Sequence, residues 1–183
     1  MFGIVTVLEG EPEEQVRALW SELRAAFGAD LVKGLNLPHL SFHVADRYEE
    51  ELARALLKRV GGTTEEFSVP TPALVFVAGE FTGVGLIAMR TPALSALHDA
   101  LWGEATRAAT GVVMRYERDQ WQPGIALCGG DTIVEASPLL VRALGEGRLP
   151  ARLPINNLAL IEETATGHEL VFKARLRARS ADG

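Results

Sequence analysis

A strand, helix, strand, helix, strand order occurs twice along this chain, offset by roughly 80 to 85 residues. In the first copy "GIVTVLEG" (3–10) is a β-branched run bounded by glycines and reads as a strand. "EPEEQVRALWSELRAAFG" follows with Pro12 in its first turn, three early glutamates and apolar Val16, Leu19, Trp20, Leu23 and Phe27, which is helical spacing ended by Gly28. "LPHLSFHVADR" (37–47) is the next strand. Asp46 and Glu49 are spaced as a capping box for a helix carrying Leu52, Leu56, Leu57 and Val60, ending at Gly61-Gly62. "FSVPTPALVFVAGE" is extended, broken by Pro70 and Pro72. The second copy opens with "GVGLIAMR" (83–90) and a helix introduced by Thr91-Pro92, with Leu94, Leu97, Leu101, Trp102 and Ala105 on one face. "WQPGIALC" (121–128) is its extended counterpart, and a helical region over 131–146 restarts at Ser137-Pro138. "PINNLALIEE" and "HELVFKARLRAR" read as a closing hairpin around a Thr164 to Gly167 turn.

A duplicated unit in 183 residues allows two small lobes sharing one core. They divide at about residue 80, with lobe one over 1–80, lobe two over 81–178 and a flexible tail at 179–183. The composition, 48 % hydrophobic and 23 % charged, is that of a soluble globular protein. No apolar run approaches the ~18 residues of a membrane span, and the N-terminus lacks a signal peptide's basic start and cleavage site. A single cysteine, Cys128, cannot form an intrachain disulfide, so a cytoplasmic setting is expected. A net charge of −6 argues against a broad electrostatic grip on duplex DNA, though not against a small phosphorylated ligand in a local pocket.

The chemistry concentrates where the copies are compared. His39, Ser41 and His43 alternate with Leu40, Phe42 and Val44, so period 2 places both histidines and the hydroxyl on one strand face. Pro38-His39-Leu40-Ser41-Phe42 matches Pro123-Gly124-Ile125-Ala126-Leu127. The counterpart strand exists, and its polar positions are empty.

Together these residues resemble the two-histidine (2H) phosphoesterase superfamily, and within it the 2′-5′ RNA ligase-like and RNA 2′,3′-cyclic phosphodiesterase-like proteins. Residues 38–42 match the first Pro-His-x-Ser/Thr-x motif. "YERDQWQPGIALC" is similar to the second through Tyr116, Trp121 and Pro123, and "GEFTGVGLIAMRTPALSALHDAL" to the family's middle. The resemblance implies an α/β (α+β) bilobal fold around a central cleft. It implies a ligand that is an RNA end or nucleotide with a 2′,3′-cyclic phosphate, a 2′-phosphate or a 2′-5′ linkage, and no metal or cofactor. One imidazole activates the attacking oxygen and a second protonates the leaving oxygen, while the hydroxyls donate to the phosphoryl group. His39 and Ser41 would be one such pair. Gly124 and Ala126 can supply neither a proton nor a hydrogen bond from a side chain. Two readings stay open: an enzyme with impaired or altered turnover, and a nucleotide- or RNA-binding module that keeps the cleft.

Other residues carry paired readings. His43, about 13 Å along the strand from His39, is a substrate-side or solvent-facing histidine. Cys128, its counterpart in the second copy, either meets it across the cleft or is a small core residue. Arg115, Tyr116 and Arg118 could hold a phosphate or stack on a base, or be loop surface. Trp121 is assigned to the substrate side by the resemblance. Lys173, Arg175, Arg177 and Arg179 form a basic stripe that could track RNA or protect an edge strand. His98 reads as a packing residue and His168 as exposed.

Overall fold

The computed structural model describes residues 1–77, 82–130 and 132–179. The expected tail beyond Arg179, Asp131 at the start of the expected last helix, and Phe81 before the second-copy strand lie outside them. The elements are β1 (Phe2–Val7), α1 (Glu11–Phe27), β2 (His39–Tyr48), α2 (Glu50–Thr63), β3 (Phe67–Pro70), β4 (Ala73–Val77), β5 (Gly83–Ile87), α3 (Pro92–Arg107), β6 (Ala109–Val112), β7 (Gly124–Gly129), α4 (Ile133–Gly145), β8 (Arg152–Ile155), β9 (Asn157–Thr164) and β10 (Gly167–Arg175). Most follow from the local signals above. Three glutamates and Pro12 open α1, and Thr91 caps α3 by accepting the Leu94 N–H at 3.3 Å.

One antiparallel sheet runs in the order β10-β9-β1-β2-β7-β5-β4, with β6 also on β2, and β3 pairs with β8 apart from it. Helices α2 and α3 pack against β10, β9 and β2, whereas α1 and α4 pack against β7 and β4. The two sequence halves therefore do not each form a separate sheet. The closing hairpin β9–β10 lies beside β1, and α1 of the first half contacts β7 of the second.

The duplication survives in the backbone. β1 pairs with β2, and β5 pairs with β7, in equivalent registers: Val7 opposite His39, Ile87 opposite Gly124. The carbonyl of Pro38 accepts the Leu8 N–H at 2.9 Å, and that of Pro123 accepts the Ala88 N–H at 2.9 Å. Both ladders carry a bulge at the same place. Val5 pairs with Ser41 but Ile4 with His43, and Gly85 pairs with Ala126 but Val84 with Cys128. An extra residue, Phe42 in β2 and Leu127 in β7, thus interrupts the alternation.

Several local expectations change. Strand β2 continues through Tyr48 because Ala45, Arg47 and Tyr48 pair with β6, so Asp46 belongs to a strand and no side chain caps α2. Helix α2 runs on to Thr63, where Gly61 lets the chain of Arg175 approach; a Cβ there would lie 2.8 Å from the Arg175 carbonyl. Helix α4 is continuous through Pro138. Three of the four basic residues of the stripe are held in ion pairs: Lys173 and Arg175 share Glu9, and Arg177 pairs with Glu65. Its strand, β10, is the sheet edge, which suits the protective reading.

Candidate active-site cleft

The cleft opens where β2 and β7 meet. Leu40 pairs with Ile125, and those two residues are also related by the 85-residue offset (125 minus 40) that relates Pro38 to Pro123. A pseudo-twofold axis thus passes through that pair. It exchanges His39 with Gly124 and Ser41 with Ala126, while the antiparallel register sets His39 beside Ala126 and Ser41 beside Gly124. All four line one cleft of about 220 Å³.

His39 is half-buried at the start of β2. Its Nδ1–H donates to the Leu37 carbonyl at 2.7 Å, which fixes the tautomer and leaves the Nε2 lone pair without a partner among the described residues. Burial pushes its pKa down to about 4, against the pull of the Leu37 carbonyl and helped by neighbouring His168. At neutral pH the ring is an uncharged hydrogen-bond acceptor and a base, not an acid.

The wall opposite His39 is apolar: Val84 and Ile87 of β5 and Val75 and Val77 of β4 stand behind Gly124 and Ala126. Gly124 is closed by backbone, since a Cβ there would sit 3.0 Å from the Leu86 carbonyl. Ala126 is exposed toward the cleft. Among the described residues no lysine or arginine lines the cavity; the side chains with polar atoms that line it are Trp20, His39, Ser41, Tyr116, Gln122 and Cys128.

The remaining predicted residues divide. Tyr116 lines the cleft, its ring under the Arg115 guanidinium and its hydroxyl 3.2 Å from Arg115 Nη2; Arg115 itself is exposed. Arg118 pairs with Asp99 at 3.3 Å. Trp121 does not reach the cavity. It is 1 % exposed, stacks on His98 at 4.2 Å, and donates from Nε1 to the Ser41 carbonyl at 2.8 Å. His98 in turn donates to the Tyr116 carbonyl at 2.8 Å, so it is a packing residue that braces two cleft residues at once.

His43 is not on the His39 face. The β2 bulge reverses the alternation, and His43 is 0 % exposed beneath the sheet. Both its nitrogens are occupied, Nδ1 by the Tyr48 hydroxyl at 2.5 Å and Nε2 by Thr106 Oγ1 at 3.2 Å. It therefore cannot meet Cys128, although the equivalent bulge does turn Cys128 inward, where it reaches the cleft floor at 2 % exposure. Burial pushes that thiol up to about 11.

Sequence reasoning missed Gln122 and His168. The first has a signal, because Leu37 and Gln122 occupy equivalent positions before the matched prolines and both line the cavity. His168, just past a turn, reads as exposed from the sequence. It is instead half-buried, with its ring edge-on to His39 at 4.8 Å between centroids. No local pattern announces that contact, which depends on where the β9–β10 hairpin lies.

The fold has close counterparts among solved structures. E. coli LigT complexed with 3′-AMP superposes over 96 % of this chain and 99 % of its own, with a TM-score of 0.61 at 14 % identity. A protein described as a phosphoesterase does so over 96 % and 97 %, with 0.60 at 13 %. The chain has the fold of the LigT-like phosphoesterases. The Thermus thermophilus protein TT0787 superposes over 98 % of this chain and 99 % of its own, with a TM-score of 0.59 at 19 % identity. No protein-family model and no curated protein matches the sequence. The two-lobed α/β architecture expected from the duplicated strand is thus the architecture found, and the cleft of this chain lies where β2 meets β7.

Proposed function

We propose that this LigT-type cleft binds a nucleotide or RNA end through a 2′,3′-cyclic or 2′-phosphate, and that two-imidazole turnover is lost. The observation that carries this reading is the asymmetry across the pseudo-twofold axis: His39 and Ser41 on one side, Gly124 and Ala126 on the other. Ser41 can donate to a phosphoryl oxygen, and His39 Nε2 can accept from a ribose hydroxyl or a water. A neutral imidazole there can still take a proton. At Gly124 and Ala126, the positions across the pseudo-axis, no side chain can return one to a leaving oxygen, and loss of a general acid costs roughly 10²–10⁴ in rate. The solved LigT complexes with 3′-AMP, NADP+ and ATP support a nucleotide as the ligand class.

A weakly active enzyme is the second reading. Tyr116 favours it, because its hydroxyl lies in the same cleft beside the Arg115 guanidinium and could serve as a non-standard proton donor. Calorimetric titration with 2′,3′-cyclic AMP and 3′-AMP tests the binding claim. Wild type should bind at least one of them, and His39→Ala and Ser41→Ala should each weaken it roughly tenfold, the worth of one well-aimed hydrogen bond. Equal affinity in wild type and both variants would remove these residues from the site.

A further inference from the structure

The His39 ring has a second imidazole against it, and that imidazole does not come from the second copy of the repeat. His168, near the start of β10, presents its ring edge-on at 66° and 4.8 Å between centroids. The contact is built from both ends. Asn36, three residues before His39, donates from Nδ2 to the His168 carbonyl at 3.0 Å and accepts the His168 N–H on Oδ1 at 2.7 Å. Gly167 makes room for that clamp. Its φ is +141°, and a Cβ there would lie 2.5 Å from Asn36 Oδ1. The tip of the closing hairpin is thus fastened to the loop that leads into β2.

We propose that His168 is a positioning residue for His39: packed against one side of the ring, it works with the Leu37 carbonyl to hold His39 as the Nδ1–H tautomer with Nε2 turned to the cleft. The inference deepens the proposed function, since it concerns how the one remaining imidazole is presented, and it rests on that reading for its ligand. Three features favour placement by His168 over incidental contact. The hydrogen bond to Leu37 constrains one edge of the His39 ring and leaves it free to swing about that anchor. The His168 ring, edge-on 4.8 Å away between centroids, limits that swing on its side. Among the described residues His168 Nδ1 is buried with no hydrogen-bond partner, a cost that hairpin packing alone does not require. The groups acting on His168 are Glu163 across the β9–β10 ladder, the Gly34 carbonyl, the N-terminal amino group and His39. Burial outweighs the first two and lowers the His168 pKa, so at neutral pH an uncharged ring faces His39 on that side.

The test reads His39 directly. Nitrogen-15 NMR of the imidazoles across pH gives the tautomer and the titration midpoint of His39, compared for wild type, His168→Ala, His168→Phe and Asn36→Ala, with 2′,3′-cyclic AMP affinity measured on the same samples. In wild type His39 should be the Nδ1–H tautomer and titrate well below an ordinary histidine. His168→Ala should admit water, raise the midpoint toward the ordinary value and lower affinity about tenfold. His168→Phe, which keeps a flat ring there, should restore both. Asn36→Ala, which only frees the hairpin tip, should shift the midpoint in the same direction as His168→Ala. An unchanged tautomer and midpoint in His168→Ala would overturn the assignment, as would a His168→Phe protein that behaves like His168→Ala. A wild type that shows the expected His39 titration yet binds neither nucleotide would overturn the functional reading and leave the positioning role standing.

Discussion

Replacing Gly124 tests whether the empty half of the cleft can be refilled. The residue lies in a strand with ordinary backbone, so no left-handed conformation protects it, and the obstacle is the β5 backbone. A Cβ would stand 3.0 Å from the Leu86 carbonyl oxygen, and relief requires β5 or β7 to move by a few tenths of an ångström. Such overpacking costs about 1–3 kcal/mol. Removing a glycine also stiffens the unfolded chain, worth about 0.4–1 kcal/mol in the opposite direction. The balance is a destabilisation of roughly 1–2 kcal/mol for Gly124→Ala, or about 2–8 °C in Tm for a chain of this size. Gly62→Ala is the control: it lies in α2 with nothing within 4 Å of a Cβ, and should stabilise by about 0.5–1 kcal/mol. Thermal denaturation of both variants decides. A Gly124→Ala protein that gains stability alongside Gly62→Ala would refute the claim that backbone closes this position. Ala126→Ser, exposed to the cleft, should change stability by less than about 0.5 kcal/mol.

Other outcomes follow from the buried groups. All four histidines have pKa values lowered first by burial, and His39 and His43 are pushed to about 4. Above the unfolded value of about 6.5 they cost nothing; below it the unfolded chain takes up protons that the native state refuses, so stability falls from pH 6.5 toward 4. For a fully buried ring such as His43 the loss is roughly 2 kcal/mol at pH 5, and urea unfolding of His43→Asn should show a shallower fall below pH 6.5 than wild type. Trp121→Phe removes the donor to the Ser41 carbonyl; a loss of about 1–3 kcal/mol is expected by chemical denaturation, with weaker nucleotide binding because the Ser41 backbone loosens. The Cys128 thiol, raised to about 11 and 2 % exposed, should resist iodoacetamide at pH 8 until the protein is denatured, as mass spectrometry would report.

The repeat was legible because duplication keeps sequence landmarks: Pro38 and Pro123, separated by the same 85 residues as the paired Leu40 and Ile125, locate the pseudo-axis without coordinates. His39 and Ser41 precede the bulge, and there period-2 counting placed them correctly in the cleft. One residue later the counting failed. An extra Phe42 in the ladder leaves no compositional mark, yet it sends His43 into the core with Tyr48 and Thr106. Asp46 and Glu49 have the spacing of a capping box, but pairing of Arg47 and Tyr48 with β6 outcompetes it. His168 was invisible for a different reason. Its contact with His39 depends on the β9–β10 hairpin lying beside β1, a long-range choice of sheet order that no local spacing encodes.

Under the proposed function, half of a two-sided site remains and binds a nucleotide without ordinary turnover. The most direct measurement follows 2′,3′-cyclic AMP by phosphorus-31 NMR with wild type and His39→Ala, at protein concentrations where calorimetry shows the nucleotide bound. Saturable binding that depends on His39 is expected, with ring opening at least about 10²-fold below that of a two-histidine enzyme measured alongside. Turnover that matches the two-histidine enzyme and vanishes in His39→Ala would contradict it, because the cleft would then hold a proton donor that the apolar wall at Gly124 and Ala126 does not provide.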